Sequence, residues 1–128
     1  MTIRIRIKRI YDPPSPQDGF RILVDRLWPR GLSKEKAKVD LWLREISPSN
    51  ELRKWYSHDP AKWAEFKKKY LGEIKEKKEE FDLLRKKARE GTVTFLFSSK
   101  EDKLNNAVAL KEFVERRRGD SRRVESPT

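Results

Sequence analysis

The 128-residue chain reads as an α/β domain, a small, mostly parallel central sheet of about four strands with helices on its faces. Three observations predict this. Two nearly continuous apolar runs, Phe20-Arg21-Ile22-Leu23-Val24 and Val93-Thr94-Phe95-Leu96-Phe97, suit strands that are covered on both sides, as strands of parallel sheets are. Between them lie segments whose apolar residues recur three and four positions apart, the period of an amphipathic helix. Strands separated by helices pair in parallel, because the return crossover needs the length a helix supplies.

The elements come in order along the chain. Ile3, Ile5 and Ile7 alternate with Arg4, Arg6 and Lys8, the period of a half-buried strand. Residues 11–19 hold three prolines and a glycine and form a loop. The strand at 20–24 stops at Asp25-Arg26-Leu27-Trp28-Pro29-Arg30-Gly31, where Pro29 and Gly31 break regular structure. Val39, Leu41 and Leu43 alternate over a short strand, 39–44, for which a helical turn is the alternative. Ser47-Pro48 reads as an N-cap followed by a first-turn proline, opening a helix that ends near Ser57. Asp59-Pro60 repeats the signal, and Trp63, Phe66, Tyr70 and Ile74 then share one helical face. Phe81, Leu84 and Ala88 continue as a second helix, or the far half of a bent one, with Gly91 as a left-handed C-cap. After the strand at 93–97, Ser99 and Asp102 have capping-box spacing for a helix carrying Leu104, Ala107, Val108, Phe113 and Val114. The domain is expected to span residues 1–117, with a frayed polar tail at 118–128.

Composition narrows the function classes. With no cysteine and one histidine, thiolate chemistry, disulfides and multi-histidine metal sites are excluded within the chain, and no cofactor motif is present; neither metal nor cofactor is expected. No stretch approaches the roughly 20 apolar residues of a membrane helix and the first residues lack a signal-peptide core, so a cytoplasmic protein is expected. The net charge of +11 is spread along the chain and interleaved with acids. That distribution suits a Lys/Glu/Arg-rich, heat-stable type of surface. Nucleic-acid binding through general basic charge is the competing reading.

Ligands of parallel sheets gather at the carboxyl ends of strands, which points to residues 25–33 and 98–106. In the first segment Arg26 and Arg30 are candidates to clamp a phosphate or carboxylate, Trp28 to stack on a base, and Asp25 to move a proton. Arg9 and Tyr11, at the end of the first strand, fall near the same edge, as does Arg53 from the helix after Pro48. In the second segment Ser98, Ser99, Asn105 and Asn106 offer hydroxyl and amide groups to an anion or a ribose. His58 beside Asp59 is a candidate acid/base, since imidazole exchanges protons near neutrality. The alternative, which a lone histidine favours, is a structural His58 with Asp59 acting only as a cap.

The runs Lys8-Arg9-Ile10-Tyr11-Asp12-Pro13, Asp18-Gly19 and Val24-Asp25-Arg26-Leu27-Trp28-Pro29-Arg30-Gly31 resemble the YeaO-like family of bacterial and archaeal proteins, a domain of unknown function. Leu41-Trp42-Leu43, Leu52-Arg53-Lys54-Trp55, His58-Asp59-Pro60, Trp63 with Phe66 and Tyr70, and Asn105-Asn106-Ala107 extend the resemblance over roughly residues 5–115 in order. The resemblance implies no particular reaction. Relatives often carry His before the Asn pair, where this chain has Leu104, so an acid/base role at that position is not available here. The expectation is a protein that binds, or processes, a small anionic compound such as a nucleotide or phosphate ester. A nucleic-acid-binding module and a protein-interaction adaptor are the alternatives.

Overall fold

Two central strands, each apolar nearly throughout, organise the molecule. The computed structural model describes the backbone of residues 3–125 and side chains through residue 116. Four strands, β1 (Ile5–Arg9), β2 (Phe20–Leu23), β3 (Leu41–Trp42) and β4 (Val93–Phe97), form one sheet in the order β1-β4-β2-β3. Every pairing is parallel: Ile5 faces Val93, Phe20 faces Val93 on the other side, and Ile22 faces Leu41. Among the described residues there are five α-helices, α1 (Lys34–Ala37), α2 (Asn50–Tyr56), α3 (Trp63–Ile74), α4 (Lys78–Glu90) and α5 (Asn106–Glu125).

The alternation of side chains across the strands separates two unlike faces. Ile5, Ile22, Val24, Val93, Phe95 and Phe97 point into the main core, where α2 to α5 deliver Tyr56, Phe66, Tyr70, Phe81, Leu84, Leu110 and Phe113. Leu23 and Leu96 point the other way, into a smaller cluster with Ile10 and Ala37 that Trp28, Leu32, Val39 and Trp42 flank. Helices therefore cover one face fully. The second face is covered by loops and the single turn of α1, because its strand residues are largely charged and need polar partners rather than a helix stripe.

Those partners converge on Asp18, which has no solvent exposure. The β1–β2 loop lays its carboxylate on the sheet, where Lys8 Nζ approaches at 3.1 Å, Arg6 at 3.3 Å and Arg21 at 2.5 Å. The Ser15 amide donates to it at 3.0 Å, and Thr94 Oγ1 donates to its backbone carbonyl at 2.7 Å. Arg21, itself buried, also donates to the carbonyls of Ala37 and Lys38, so this one cluster joins the loop, β1, β2, β4 and α1. Gly19 completes the approach: its φ is +65°, and a Cβ there would stand 2.2 Å from the Thr92 carbonyl oxygen.

Several local expectations shift. The α2 N-cap is Ser49 rather than Ser47, which instead closes a 3₁₀ turn by donating to the Arg44 carbonyl. Ser49 wins because its hydroxyl both accepts from the Leu52 amide and donates to Glu73 on α3. The 39–44 strand shortens to two residues, since a 3₁₀ turn begins at Arg44. Gly91 has φ 168° and is extended, so no left-handed cap ends α4. Helix α5 starts at Asn106 with Asn105 accepting from the Val108 amide, while Ser99 accepts from Glu101 and serves a turn before the helix. Of the expected 118–128 tail, the backbone is helical as far as Glu125. The side chains of that segment, and residues 126–128, lie outside the described residues.

Burial of Asp18 raises its carboxyl pKa, but the hydrogen bonds from Lys8, Ser15 and Arg21 together outweigh it and hold the pKa below the usual value. A depressed folded pKa contributes stability that is complete above the unfolded pKa, about 4, and lost as pH falls through the folded value. Asp18→Ala is expected to destabilise the fold by about 3 kcal/mol near neutrality, because it leaves Arg21 buried without its carboxylate. Urea titration at pH 7 and pH 3 checks this, and the difference between variant and parent should shrink at the lower pH.

Candidate functional site

Successive crossovers leave the sheet on opposite faces. The chain crosses the loop-covered face while moving from β1 to β2 to β3, then returns to β4 over the helical face through α2, α3 and α4. At the carboxyl ends of β2 and β4 the outgoing chains therefore diverge, β2 toward one face and β4 toward the other. A crevice opens where such chains part.

Two adjoining depressions occupy this position, with volumes of about 190 and 340 Å³. Pro48, Arg53, His58, Ser99 and Asn106 line both. Asp25, Arg26 and Ser98 close the smaller one, while Lys54, Tyr56 and Asn105 extend the larger. A shallower hollow of about 820 Å³ lies at the opposite, amino-terminal edge of the sheet. Its Lys111 and Glu115 pair with each other and its Arg6 with Asp18, so its charges are largely answered within the protein.

Asp25 holds the crevice together. One carboxylate oxygen accepts from both the amide and the hydroxyl of Ser98 at 2.9 Å, and the other accepts from the Asn106 side chain at 3.2 Å. Asn106 also donates to the Val24 carbonyl, and the Trp42 indole donates to the Asp25 carbonyl. The ends of β2, β3 and β4 are thus tied to the first residue of α5. With its carboxylate engaged by three donors, Asp25 organises the strand ends.

Arg26 contrasts with its neighbour. Its side chain lines the smaller depression, half-buried, and its Nε is buried without a hydrogen-bond partner. Beneath it the fully buried Tyr70 hydroxyl donates to the Ile46 carbonyl at 2.5 Å. Burial raises the Tyr70 pKa well above its ordinary value, with Asp25 and Glu73 adding to the shift and Arg26 opposing it. The phenol remains a neutral donor, so it offers Arg26 no counter-charge.

His58 stands on the rim, exposed, at the end of α2. Ser57 and His58 have φ of +47° and +56°, consecutive left-handed positions that cost L residues roughly 1 kcal/mol each. This bend places the imidazole near Tyr56, with ring centroids 5.9 Å apart. The Tyr56 hydroxyl donates to the Leu104 carbonyl at 2.9 Å. Burial raises its pKa, and Glu101 and Asp59 add to the rise. Asp59 caps the following turn by accepting from the Ala61 amide.

The remaining sequence candidates divide. Arg53, Ser98, Ser99, Asn105 and Asn106 come together with Asp25, Arg26 and His58 at the crevice. Trp28 does not line it: its indole donates to the Leu32 carbonyl and packs edge-on to Trp42, 5.4 Å away, within the second cluster. Arg30 is exposed and takes no part in the lining; its carbonyl accepts from the Tyr11 hydroxyl. Arg9 donates to the carbonyls of Ser98 and Ser99, bracing that loop from behind. Pro48, Lys54 and Tyr56 are lining residues that sequence reasoning did not single out. For Lys54 and Tyr56 the Arg53-Lys54-Trp55-Tyr56 run just before His58 was the available signal, and for Pro48 the helix start at Ser47-Pro48. Among the described residues no group of three or more acidic or histidine side chains is arranged to hold a metal ion.

The fold and crevice define a small parallel α/β protein with a depression lined by Arg26, Arg53, Lys54 and His58 at the carboxyl ends of its central strands. The chain belongs to the DUF488-N3i family, described as the inactive DUF488-N3 subclade, whose model matches residues 4–128. It is similar to the uncharacterized protein YeaO of Escherichia coli (strain K12), at 40% identity over 112 residues that cover 88% of this chain and 97% of that one. An uncharacterized protein of Mycobacterium tuberculosis (strain ATCC 25618 / H37Rv) is 44% identical over 71 residues, 56% of this chain and 60% of its own. No solved structure matches. Among the described residues no helix is long and apolar enough to cross a membrane.

Asp25→Ala strands the Ser98 amide and hydroxyl and one of the two hydrogens of the Asn106 side-chain amide. A loss of about 2 kcal/mol is expected from those unanswered donors, with faster hydrogen exchange at the Ser98 amide. Unchanged stability and exchange would mean that packing alone holds the strand ends.

Proposed function

We propose that the protein binds a small anionic ligand, such as a phosphate ester or nucleotide, in the crevice between the ends of β2 and β4, and that it binds without catalysing a reaction. The observation that carries this reading is Arg26. A half-buried guanidinium forgoes part of its hydration, and proteins ordinarily compensate with a carboxylate. Here the adjacent Asp25 carboxylate is committed to Ser98 and Asn106, and among the described residues Arg26 has neither an ion pair nor a hydrogen bond. An external anion supplies the missing charge. Ser99 and the exposed Arg53 line the same space and provide further donors.

The absence of a proton-transfer arrangement supports binding over catalysis. A general base is normally oriented by a second group. His58 makes no hydrogen bond among the described residues, and Asp25 accepts three. Leu104 brings no side-chain acid or base: its carbonyl accepts from Tyr56 and its amide donates to Glu101. The family's description as an inactive subclade agrees with this reading.

Calorimetric titration with inorganic phosphate and pyrophosphate, at low and high salt, tests the proposal. Binding is expected to persist at high salt and to be lost in Arg26→Leu, whose thermal midpoint stays equal to the parent's or rises because an unpaired buried charge is gone. Binding that survives Arg26→Leu would overturn the assignment. Stabilisation by nucleic acid alone, fading with salt, would instead indicate a general polyanion surface.

A further inference from the structure

We infer that the ligand has two parts, a terminal phosphate seated at Arg26 in the smaller depression and a flat aromatic group lying in the larger one against the His58 imidazole. The inference rests on the anion-binding reading above and adds the chemistry of the second half of the ligand. The two depressions share Pro48, Arg53, His58, Ser99 and Asn106, so they are neighbouring compartments with a common wall. A phosphate alone leaves the larger compartment empty. That compartment differs in kind from the first: Arg26, Asp25 and Ser98 are absent from it, and Tyr56 and Phe66 give it an aromatic back wall.

The aromatic residues are already arranged face to face there. Tyr56 stacks on Phe66 with centroids 4.3 Å apart, and His58 is tilted against Tyr56 at 5.9 Å. The two left-handed residues Ser57 and His58 bring the imidazole to the mouth of the compartment, where it is exposed. Stacking on such a ring is selective for flat π-systems and tolerant of their exact chemistry. The stacking surface is thus His58, and not Trp28, whose indole is bonded to Leu32 and packed on Trp42. A sugar or aliphatic group has no π-face for that ring, and on the buried side of the compartment the Tyr56 hydroxyl is already bound to Leu104 and the Asn105 side chain to Glu101 and the Val108 amide.

The protein's single histidine makes the test direct. Inorganic phosphate, ribose 5-phosphate and phenyl phosphate share the anion and differ only in the group it carries. Phenyl phosphate is expected to bind about tenfold more tightly than ribose 5-phosphate, a gain within the range of one aromatic stack, and to move the His58 ring-proton resonances upfield through its ring current. The other two compounds should produce no upfield shift, and Arg26→Gln should weaken all three. Equal affinity for the phenyl and ribose esters, or His58 resonances that do not respond to phenyl phosphate, overturns the two-part ligand while leaving the anion site standing. Failure of all three compounds to bind overturns the anion site itself, and the inference with it.

Discussion

The crevice depends on one carboxylate being used for architecture. Parallel strands end side by side, and their outgoing chains would otherwise separate with unpaired amides at the edge. Asp25 collects the Ser98 amide, the Ser98 hydroxyl and the Asn106 side chain, and its own carbonyl receives the Trp42 indole. Once this knot is tied, the first turn of α5, the end of α2 and the end of β2 must surround a common space. The same commitment deprives Arg26 of the acid beside it. The feature that shapes the pocket and the feature that charges it have a single origin.

The opposite face of the sheet shows how a similar problem is solved when no ligand is involved. Asp18 is buried among Arg6, Lys8 and Arg21, with amide and hydroxyl donors filling its remaining capacity. Each charge there is answered inside the protein. Comparing the two carboxylates separates a structural ion cluster from a binding site more clearly than charge density does, since both regions are rich in arginine. The distinguishing quantity is whether the cations are left over after internal bonding.

The sheet was legible from sequence because burial on both faces leaves an apolar run that nothing else in the chain imitates; residues 20–24 and 93–97 are examples. The faces of α3 and α4 were legible for a related reason, as Phe66, Tyr70, Phe81 and Leu84 repeat at helical spacing and are buried. Caps were harder. Ser47 and Ser49 carry the same hydroxyl two residues apart, and the choice between them is made by Glu73, 24 positions away. The rule about strand ends pointed to the carboxyl edge of the sheet, where Asp25, Arg26, Arg53, His58 and the Ser and Asn pairs meet. Trp28 and Arg30 were drawn in by proximity along the chain, yet the turn at Pro29 and Gly31 carries them away from the lining. The Asp18 cluster was hidden because a Pro-rich loop with Asp-Gly reads as an exposed turn, and only the pairing of β1, β4 and β2 shows that this loop must cross a sheet.

Strand β1 lies at the border of the sheet, with β4 as its sole strand partner among the described residues, so one row of its backbone groups is open to another strand. Its outward sequence answers that exposure. Arg4 is exposed with no ion pair among the described residues, and Arg6, although paired with the enclosed Asp18, keeps 45% of its side chain exposed. A second copy pairing edge to edge would bring like charges together along the new seam, which is how natural sheets discourage unlimited growth. The arginines that read in sequence as the polar half of an alternating strand therefore also act as a barrier to self-templated aggregation.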